Sequence, residues 1–267
     1  MPLSGEQIVS VEATIRSSLR KKFQRYKPES KHMPFHYRLL GKDRMALYSF
    51  IQSLNTTFGT SIFEPVAETL AQIRFAHAQS QYIAGNEISE AAQNTIQTII
   101  NELTTGKDTD KKTEIERIRT VCQQGKMYAL KSVKVDLLVK DYQGSIFLFD
   151  LKTVKPNFNE FKGLKRTLLE WCAIMLAKQP DMDIHSYIAI PYNPYEPKPY
   201  ERWTLKGMLD LDQELKVANE FWDFLGGEGA YRELLNCFER VGIELRPEID
   251  QYFETFHPHS TRSQQGH

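Results

Sequence analysis

The sequence predicts an α/β fold in which a small mixed sheet is flanked by helices. Apolar residues recur at helical spacings of three and four up to residue 122, and alternate with polar residues after the breaker at Gly125. An alternating run over 133–140 and a second, mostly apolar run that begins at Ser145 are separated by a short turn that ends in Gly144. A helical pattern and another strand-like run follow, so the element order is helices, hairpin, helix, strand.

Five helices are predicted in the first half of the chain. The first begins after Ser4, because apolar residues from Ile8 to Phe23 lie three or four positions apart. Pro28 and Pro34 bound the loop that follows it. The other four helices are predicted over residues 44–54, 61–82, 89–103 and 111–122.

The second half contains the predicted sheet. A short strand over 127–130 can precede the hairpin, and a helix over 159–178, a strand over 184–190 and a Pro-rich loop over 192–203 follow it. The predicted domains are an N-terminal helical arm (1–57), a core (58–206) with a helical insertion (85–125), a C-terminal helical region (207–256) and a disordered tail (257–267).

The composition is that of an ordinary globular chain, with 267 residues, 41% hydrophobic and 25% charged. No apolar run approaches the ~18 residues that cross a bilayer, and no signal peptide is visible. Three distant cysteines without a CxxC spacing predict reduced thiols in a cytoplasmic protein. Because neither a P-loop nor a nucleophile elbow occurs, nucleotide binding and Ser/His/Asp catalysis have no support.

The net charge is zero, but the charges are unevenly distributed. Residues 1–45 hold ten Lys and Arg against four Asp and Glu, whereas residues 208–256 hold four against twelve. The basic arm, which includes Arg20-Lys21-Lys22, either contacts phosphates or forms an ordinary solvated helix face.

Two carboxylates and one ammonium group converge in the predicted hairpin. Asp150 and Lys152 lie two apart and share a face of one strand, and Asp136 lies on the preceding strand. A three-residue loop with Gly144 in the left-handed region places Asp136 opposite Asp150, where the two charges repel unless a cation binds. A two-residue loop puts the aspartates on opposite faces. Gly144 favours the first register.

Such a cluster can hold a divalent metal ion and activate a water, as a metal-dependent phosphodiesterase requires. The alternative is that Asp136, Asp150 and Lys152 are surface charges at strand ends. Four basic residues follow the hairpin in the sequence. They either contact a phosphate backbone or are ordinary solvated residues of the next helix. They are Lys155, Lys162, Lys165 and Arg166.

Two further features have two interpretations each. Glu64 either supplies an additional acid for a metal-bound water, with Glu68 on the same helix face, or closes a capping box with Ser61 as N-cap. The loop after the last core strand either offers polar and planar groups to base edges or packs its tyrosines in a rigid Pro-rich segment. Its residues are Tyr192, Asn193, Lys198, Tyr200 and Arg202.

The hairpin resembles the motif of the PD-(D/E)XK nuclease superfamily. Asp136 matches the first acid, Asp150-Leu151-Lys152 the second half, and Glu64 or Glu68 the upstream helical acid, while Val135 replaces the motif's proline. Longer segments look like the TdeIII-type group of type II restriction endonucleases. These segments are 58–64, 135–137, 149–153, 189–195 and 200–203.

The resemblance implies a restriction-endonuclease-like αβββαβ core with N-terminal and C-terminal helices, in a homodimer of a bacterial or archaeal restriction–modification system. Asp136, Asp150 and the carbonyl of Leu151 would bind Mg²⁺, Lys152 would orient the attacking water, and Glu64 would hold a second water or metal. The substrate would be double-stranded DNA with a short GGNCC-like palindrome, and the cut ends would be 5′-phosphates and 3′-hydroxyls.

Two other functions remain open at this point, namely a DNA-repair or junction nuclease of the same fold and a non-catalytic DNA-binding protein. The dimer contact also has two interpretations. The amphipathic helix from Ile8 to Phe23 either forms that contact or packs on its own domain.

Overall fold

The computed structural model describes residues 3–26, 33–153, 160–201 and 207–254. The chain divides into two compact units. The sheet unit is Ala67–Tyr231, and the helical unit is Leu3–Val66 together with the chain from Arg232 onward. The described helices are α1 Gly5–Arg25, α2 Pro34–Leu40, α3 Lys42–Phe58, α4 Glu64–Arg74, α5 Glu90–Thr104, α6 Lys111–Arg119, α7 Phe161–Lys178, α8 Asn219–Gly226 and α9 Ala230–Glu254.

The sheet unit is built on five strands that neighbour one another in chain order. They are β1 His77–Ser89, β2 Met127–Lys140, β3 Ile146–Leu151, β4 Ile184–Ile190 and β5 Leu215–Val217. The pairs β1/β2 and β2/β3 are antiparallel, whereas β3/β4 and β4/β5 are parallel. The predicted mixed sheet is confirmed, and α4, β1, β2, β3, α7 and β4 follow the αβββαβ order with α5 and α6 inserted after β1.

Both faces of β3 are buried, which explains its nearly continuous apolar sequence. Ile146 and Leu148 belong to the main core, together with apolar residues of α5, α6 and α7. The alternate residues, Phe147 and Phe149, make ring contacts with Phe224 of α8 at centroid distances of 5.1 and 5.7 Å. β3 is therefore fixed from both sides, and its carboxyl end is held in a defined place.

Several predicted boundaries are confirmed. The helix after Ser4 is α1, and Ser4 and Gln7 form a reciprocal capping box at its start. The helix predicted from residue 89 is α5, with Ser89 as an N-cap that accepts from the Ala92 amide. The strand over 184–190 is β4, and α7 begins two residues after the predicted start at 159.

Two helical predictions are wrong. The helix predicted over 61–82 ends at Arg74, and the chain then enters β1. The sequence of β1 is mostly polar and contains a glycine, so its strand conformation comes from pairing with β2 rather than from local propensity. The region from 207 onward is not helical throughout, because β5 precedes α8.

The predicted cap before α4 is also corrected. Pro34 begins α2, because proline is tolerated at the first helical position, and most of the predicted loop between Pro28 and Pro34 lies outside the described residues. α3 continues through a π-helical turn, Gly59–Phe63, directly into α4. Ser61 therefore lies inside a helix and is not an N-cap, so the predicted capping box with Glu64 does not form.

In the helical unit, α1 and α9 are joined by three ion pairs spaced four residues apart. They are Glu12–Arg240 (2.6 Å), Arg16–Glu244 (2.5 Å) and Arg20–Glu248 (2.6 Å). Val11 and Ile15 of α1 are buried in the same unit. The packing supports the interpretation in which α1 packs on its own unit, and Arg20 of the basic arm is engaged with a carboxylate.

Among the described helices, none combines the length and apolar character that crossing a membrane requires.

Candidate active site

The β2–β3 hairpin has the register that Gly144 favours. The Asp141 amide donates to the carbonyl of Ser145 (3.1 Å), and Gly144 has a φ of +99°. The ladder runs from Lys140 opposite Ile146 to Leu137 opposite Phe149. One more step in this register sets Asp136 opposite Asp150, and the prediction of a three-residue loop is confirmed.

Asp136 is held at the end of this ladder by a backbone amide. Its Oδ2 accepts a hydrogen bond from the amide of Leu151 at 2.9 Å. The side chain thus fixes the residue that follows Asp150, and the two aspartates lie on neighbouring strands at the carboxyl end of β3.

Asp150 and Lys152 form an ion pair at the same strand end. Asp150 Oδ1 lies 2.7 Å from Lys152 Nζ, and Asp150 is only 6% exposed. The Lys152 amide donates to the carbonyl of Ala189 in β4 (2.9 Å), which keeps the lysine in line with the sheet. Its side chain is 36% exposed, so the ammonium group is accessible to a ligand.

The donor set fits a hard divalent cation. Within the described residues, no three His, Cys, Asp or Glu side chains cluster as a metal-binding group. Asp136 and Asp150 present two carboxylates on neighbouring strands at this strand end, and the sequence prediction adds the carbonyl of Leu151. This set suits Mg²⁺, which is commonly bound by one or two carboxylates while waters and substrate phosphates complete its coordination.

The two upstream acids are in different surroundings. Glu64 is 2% exposed and belongs to the helical unit. Glu68 belongs to the sheet unit, and its Oε2 accepts from the hydroxyl of Ser80 at 2.5 Å. Ser80 pairs with Leu137, next to Asp136. Of the two acids, Glu68 is the one that the contacts tie to the strand beside the aspartates.

Burial contradicts one predicted phosphate contact. Lys165 is fully buried at 0% exposure, and its Nζ lies 2.5 Å from Glu114 Oε2 and 2.6 Å from Glu214 Oε2. A second lysine, Lys111, pairs with the other oxygen of Glu214 at 2.7 Å. Lys165 therefore joins α6, α7 and the start of β5, and it cannot reach DNA.

The buried cluster is held by mutual charge compensation. Burial by itself would raise the pKa of Glu214, but the ammonium groups of Lys111 and Lys165 outweigh it, so this pKa lies below its ordinary value. Burial also raises the pKa of Glu114. The cluster is an internal support of the sheet unit.

The other predicted phosphate contacts differ in accessibility. Lys162 is exposed at the start of α7. Arg166 is half-buried, donates to Gln97 and lies 3.7 Å from Glu170. Lys155 lies outside the described residues.

The loop after β4 is partly stabilised by its own polar groups. Asn193 donates to the carbonyl of Lys198 (2.7 Å) and accepts from the Tyr195 amide (2.9 Å). Tyr200 is buried, as the packing interpretation expects, whereas Tyr192 and Lys198 are exposed. Arg202 lies outside the described residues.

Sequence reasoning missed the strand that borders Asp136. Ser80 and Tyr82 of β1 pair with Leu137 and Val135, so Gln81 lies opposite Asp136. Gln81 has a φ of +50°, an uncommon conformation for a residue other than glycine. The alternation of Ala78, Ser80 and Tyr82 with polar glutamines was the available signal, but a helical pattern covered the same residues.

The chain is similar to known proteins over most of its length. Residues 3–242 match the family model described as "Type II restriction endonuclease, HinfI". The type II restriction enzyme HgiCII of Herpetosiphon aurantiacus is 27% identical, over 81% of this chain and 80% of the relative. The type II restriction enzyme MjaII of Methanocaldococcus jannaschii is 24% identical, over 95% of this chain and 74% of the relative.

The predicted membership among type II restriction endonucleases is thereby confirmed, and the matching family model is HinfI, whereas the motifs resembled the TdeIII-type group. The chain belongs to the HinfI family of type II restriction endonucleases, which are site-specific deoxyribonucleases.

Proposed function

We propose that this chain hydrolyses phosphodiester bonds of double-stranded DNA in a Mg²⁺-dependent reaction at a short palindrome, acting as a homodimer in the cytoplasm of a bacterium or archaeon. The observation that carries the proposal is the register that opposes Asp136 and Asp150, with Lys152 2.7 Å from Asp150. The target is a GGNCC-like sequence, as the resemblance of the motifs implies.

Type II restriction enzymes generally use a divalent metal ion. In this chain Asp136, Asp150 and the carbonyl of Leu151 would hold it. A bound Mg²⁺ lowers the pKa of a coordinated water and neutralises charge on the phosphate being cleaved.

Each protein group has a separate task in this proposal. Lys152 orients the attacking water and stabilises developing negative charge, since an ammonium in a partly desolvated site is effective there. Asp150 holds that ammonium in place, and Asp136 fixes the Leu151 peptide. Glu64 or Glu68 supplies the further acid, and the contact of Glu68 with Ser80 favours Glu68.

The proposed DNA contacts are the exposed groups near the carboxyl ends of β3 and β4. Parallel strands end at the same sheet edge, so the loop after β4 lies at the edge that carries Lys152. Lys162, Tyr192 and Lys198 are exposed and suited to phosphate or base contacts. Lys155 and Arg202 are proposed for the same role from the sequence alone.

Digestion of supercoiled plasmid DNA tests the proposal. Wild-type protein with Mg²⁺ is expected to give a reproducible set of discrete fragments, and none in the presence of EDTA. A smear, or nicking only at branched DNA, would favour the repair or junction nuclease. Binding without any cleavage in Mg²⁺ or Mn²⁺ would favour the non-catalytic DNA-binding protein.

A further inference from the structure

β1 and β2 continue past the end of β3 as a two-stranded ribbon. They pair with each other from His77 opposite Lys140 to Ser89 opposite Met127. β2 pairs with β3 only from Leu137 to Lys140. Within the described residues, β1 from Tyr82 to Ser89 and β2 from Met127 to Val135 thus form a ribbon without a third strand. This distal ribbon begins next to Asp136.

One face of the distal ribbon is anchored on α7. A Cβ on Gly85 would lie 2.6 Å from Ile174 Cγ2, so glycine is what permits the close approach of strand and helix. Lys178 Nζ donates to the carbonyl of Ala84 at 2.6 Å, and Ala84 and Ile88 are buried in the main core. The ribbon is therefore a supported element with a defined position relative to the aspartates.

A bulge turns the side chains of β2 outward in the middle of the ribbon. Gly85 pairs with Val133 and Glu87 pairs with Ala129, so Asn86 alone lies opposite residues 130–132. Extra residues in one strand bend it and redirect its side chains, and such bulges are frequent beside active sites. Lys131, Ser132 and Asn86 are all exposed at this point.

The exposed side chains of the ribbon are mostly polar, with two lysines, Lys131 and Lys134, against one carboxylate, Glu87. Lys131 and Lys134 are exposed, and neither takes part in an ion pair within the described part of the chain. Ile83, which pairs with Lys134, is 53% exposed and adds an apolar surface. Lysine, asparagine and serine side chains next to an apolar group can contact base edges and thymine methyls.

We infer that the distal ribbon lies in a groove of the bound DNA duplex and reads base pairs of the target site through Lys131, Lys134, Ser132 and Asn86. This inference rests on the proposed function. The major groove admits a two-stranded β-ribbon. The ribbon starts at the proposed catalytic centre, so a duplex whose phosphate is cleaved there passes along it. Its exposed ammonium groups complement the negative charge of DNA.

The test is equilibrium binding of Lys131→Ala, Lys134→Ala and Asn86→Ala in Ca²⁺. The probes are a labelled duplex with the site mapped from the ends of wild-type fragments, and the same duplex with one base pair of that site changed. The matched control is Lys140→Ala, because Lys140 is exposed on the same strand at its other end. Melting temperatures verify that each variant is folded.

The ratio is the dissociation constant for the altered duplex divided by that for the intact duplex. We expect this ratio to fall by at least about fivefold in one or more of the three variants, which is the lower end of the discrimination that one base contact provides. Lys140→Ala is expected to keep the wild-type ratio. A wild-type ratio in all three variants would overturn the inference. This holds even if a variant binds both duplexes more weakly by the same factor, because such a loss indicates contacts with phosphates and not with bases. A changed sedimentation of the DNA-free protein also overturns it, because the ribbon would then be a protein interface. If the wild-type protein gives no discrete digest, the proposed function itself fails.

Discussion

Asp136 has a structural and a proposed chemical task that a substitution can separate. One carboxylate oxygen accepts from the Leu151 amide, while the residue lies opposite Asp150 in the register of the hairpin. An asparagine in its place keeps a carbonyl oxygen for the amide but loses the negative charge. Structure and metal affinity therefore respond differently to this change.

Asp136→Asn is expected to weaken Mn²⁺ binding by at least about tenfold, since a charged oxygen ligand is replaced by a neutral one. The fold is expected to remain, as the circular dichroism spectrum will show. Isothermal titration calorimetry measures the affinity, with Asp181→Asn as the matched control because Asp181 is an exposed aspartate of the same unit. Equal affinity in both variants would remove Asp136 from the metal site.

The positions of the site residues could be predicted where local rules determine them. Gly144 favoured the three-residue loop that sets Asp136 opposite Asp150, because a left-handed residue selects the turn and the turn selects the register. Lys165 was misassigned because its partners, Glu114 and Glu214, are 51 and 49 positions away in the sequence, beyond any local pattern.

At the scale of elements, the sheet unit depends on contacts between distant segments. β5 has only three residues, and the segment before it is fixed by Glu214, whose carboxylate pairs with Lys111 and Lys165. The Glu214 carbonyl also accepts from the amide of Ile188 (2.8 Å), the residue of β4 that pairs with Asp150. The buried cluster thus supports the strand next to the proposed catalytic residues.

Glu214→Ala is expected to lower the free energy of unfolding by about 3–5 kcal/mol, because it leaves the buried ammonium of Lys111 without its carboxylate and leaves Lys165 paired with Glu114 alone. Glu116→Ala is the control, since Glu116 pairs with Arg119 but is largely exposed, and it is expected to cost less than about 1 kcal/mol. Urea unfolding measures both. A loss as small as that of the control would show that the cluster does not stabilise the fold.

The stability that Glu214 contributes is also expected to depend on pH. The pKa of Glu214 is lower in the folded state than its ordinary value, so its stabilisation is complete above the unfolded pKa of about 4.3 and is lost as the pH falls through the folded value. The stability difference between wild type and Glu214→Ala is expected to be constant from pH 5 to 7 and to shrink below about pH 4. A difference that grows on acidification would contradict this sign.

Elements with strong periodic patterns were predictable, and β1 was not. The apolar spacing of α1 and α5 decided their type before any tertiary contact was known. β1 reads His-Ala-Gln-Ser-Gln-Tyr-Ile-Ala-Gly-Asn-Glu-Ile-Ser, in which a short alternation over 78–82 is followed by no clear period, and its conformation is imposed by β2. The distal ribbon of β1 and β2 could not be predicted from the sequence for the same reason.

At the scale of the whole molecule, the family match spans residues of both units, from 3 to 242. A palindrome presents two equivalent half-sites, and a two-fold dimer meets them with one surface used twice. One hairpin supplies one proposed metal centre, so cutting both strands in one encounter requires two subunits. Because α1 is engaged with α9 through three ion pairs, we expect the dimer contact to be formed by other elements.

Sedimentation velocity in Ca²⁺ is expected to show two chains of 31.0 kDa on one duplex that carries the mapped site. The physical reason is the symmetry of that site. The control is the same duplex with one half-site scrambled, on which the two-chain species is expected to be weaker. One chain per duplex at all protein concentrations would contradict the dimer.

The most direct test of the central claim is single-turnover cleavage of the mapped duplex in Mg²⁺ by wild type, Asp150→Ala and Asp181→Ala. We expect Asp150→Ala to cut at least about a hundredfold more slowly while still binding the duplex in Ca²⁺, because it loses both a metal ligand and the partner of Lys152. Asp181→Ala is expected to cut at the wild-type rate. Cleavage by Asp150→Ala at the wild-type rate would contradict the account.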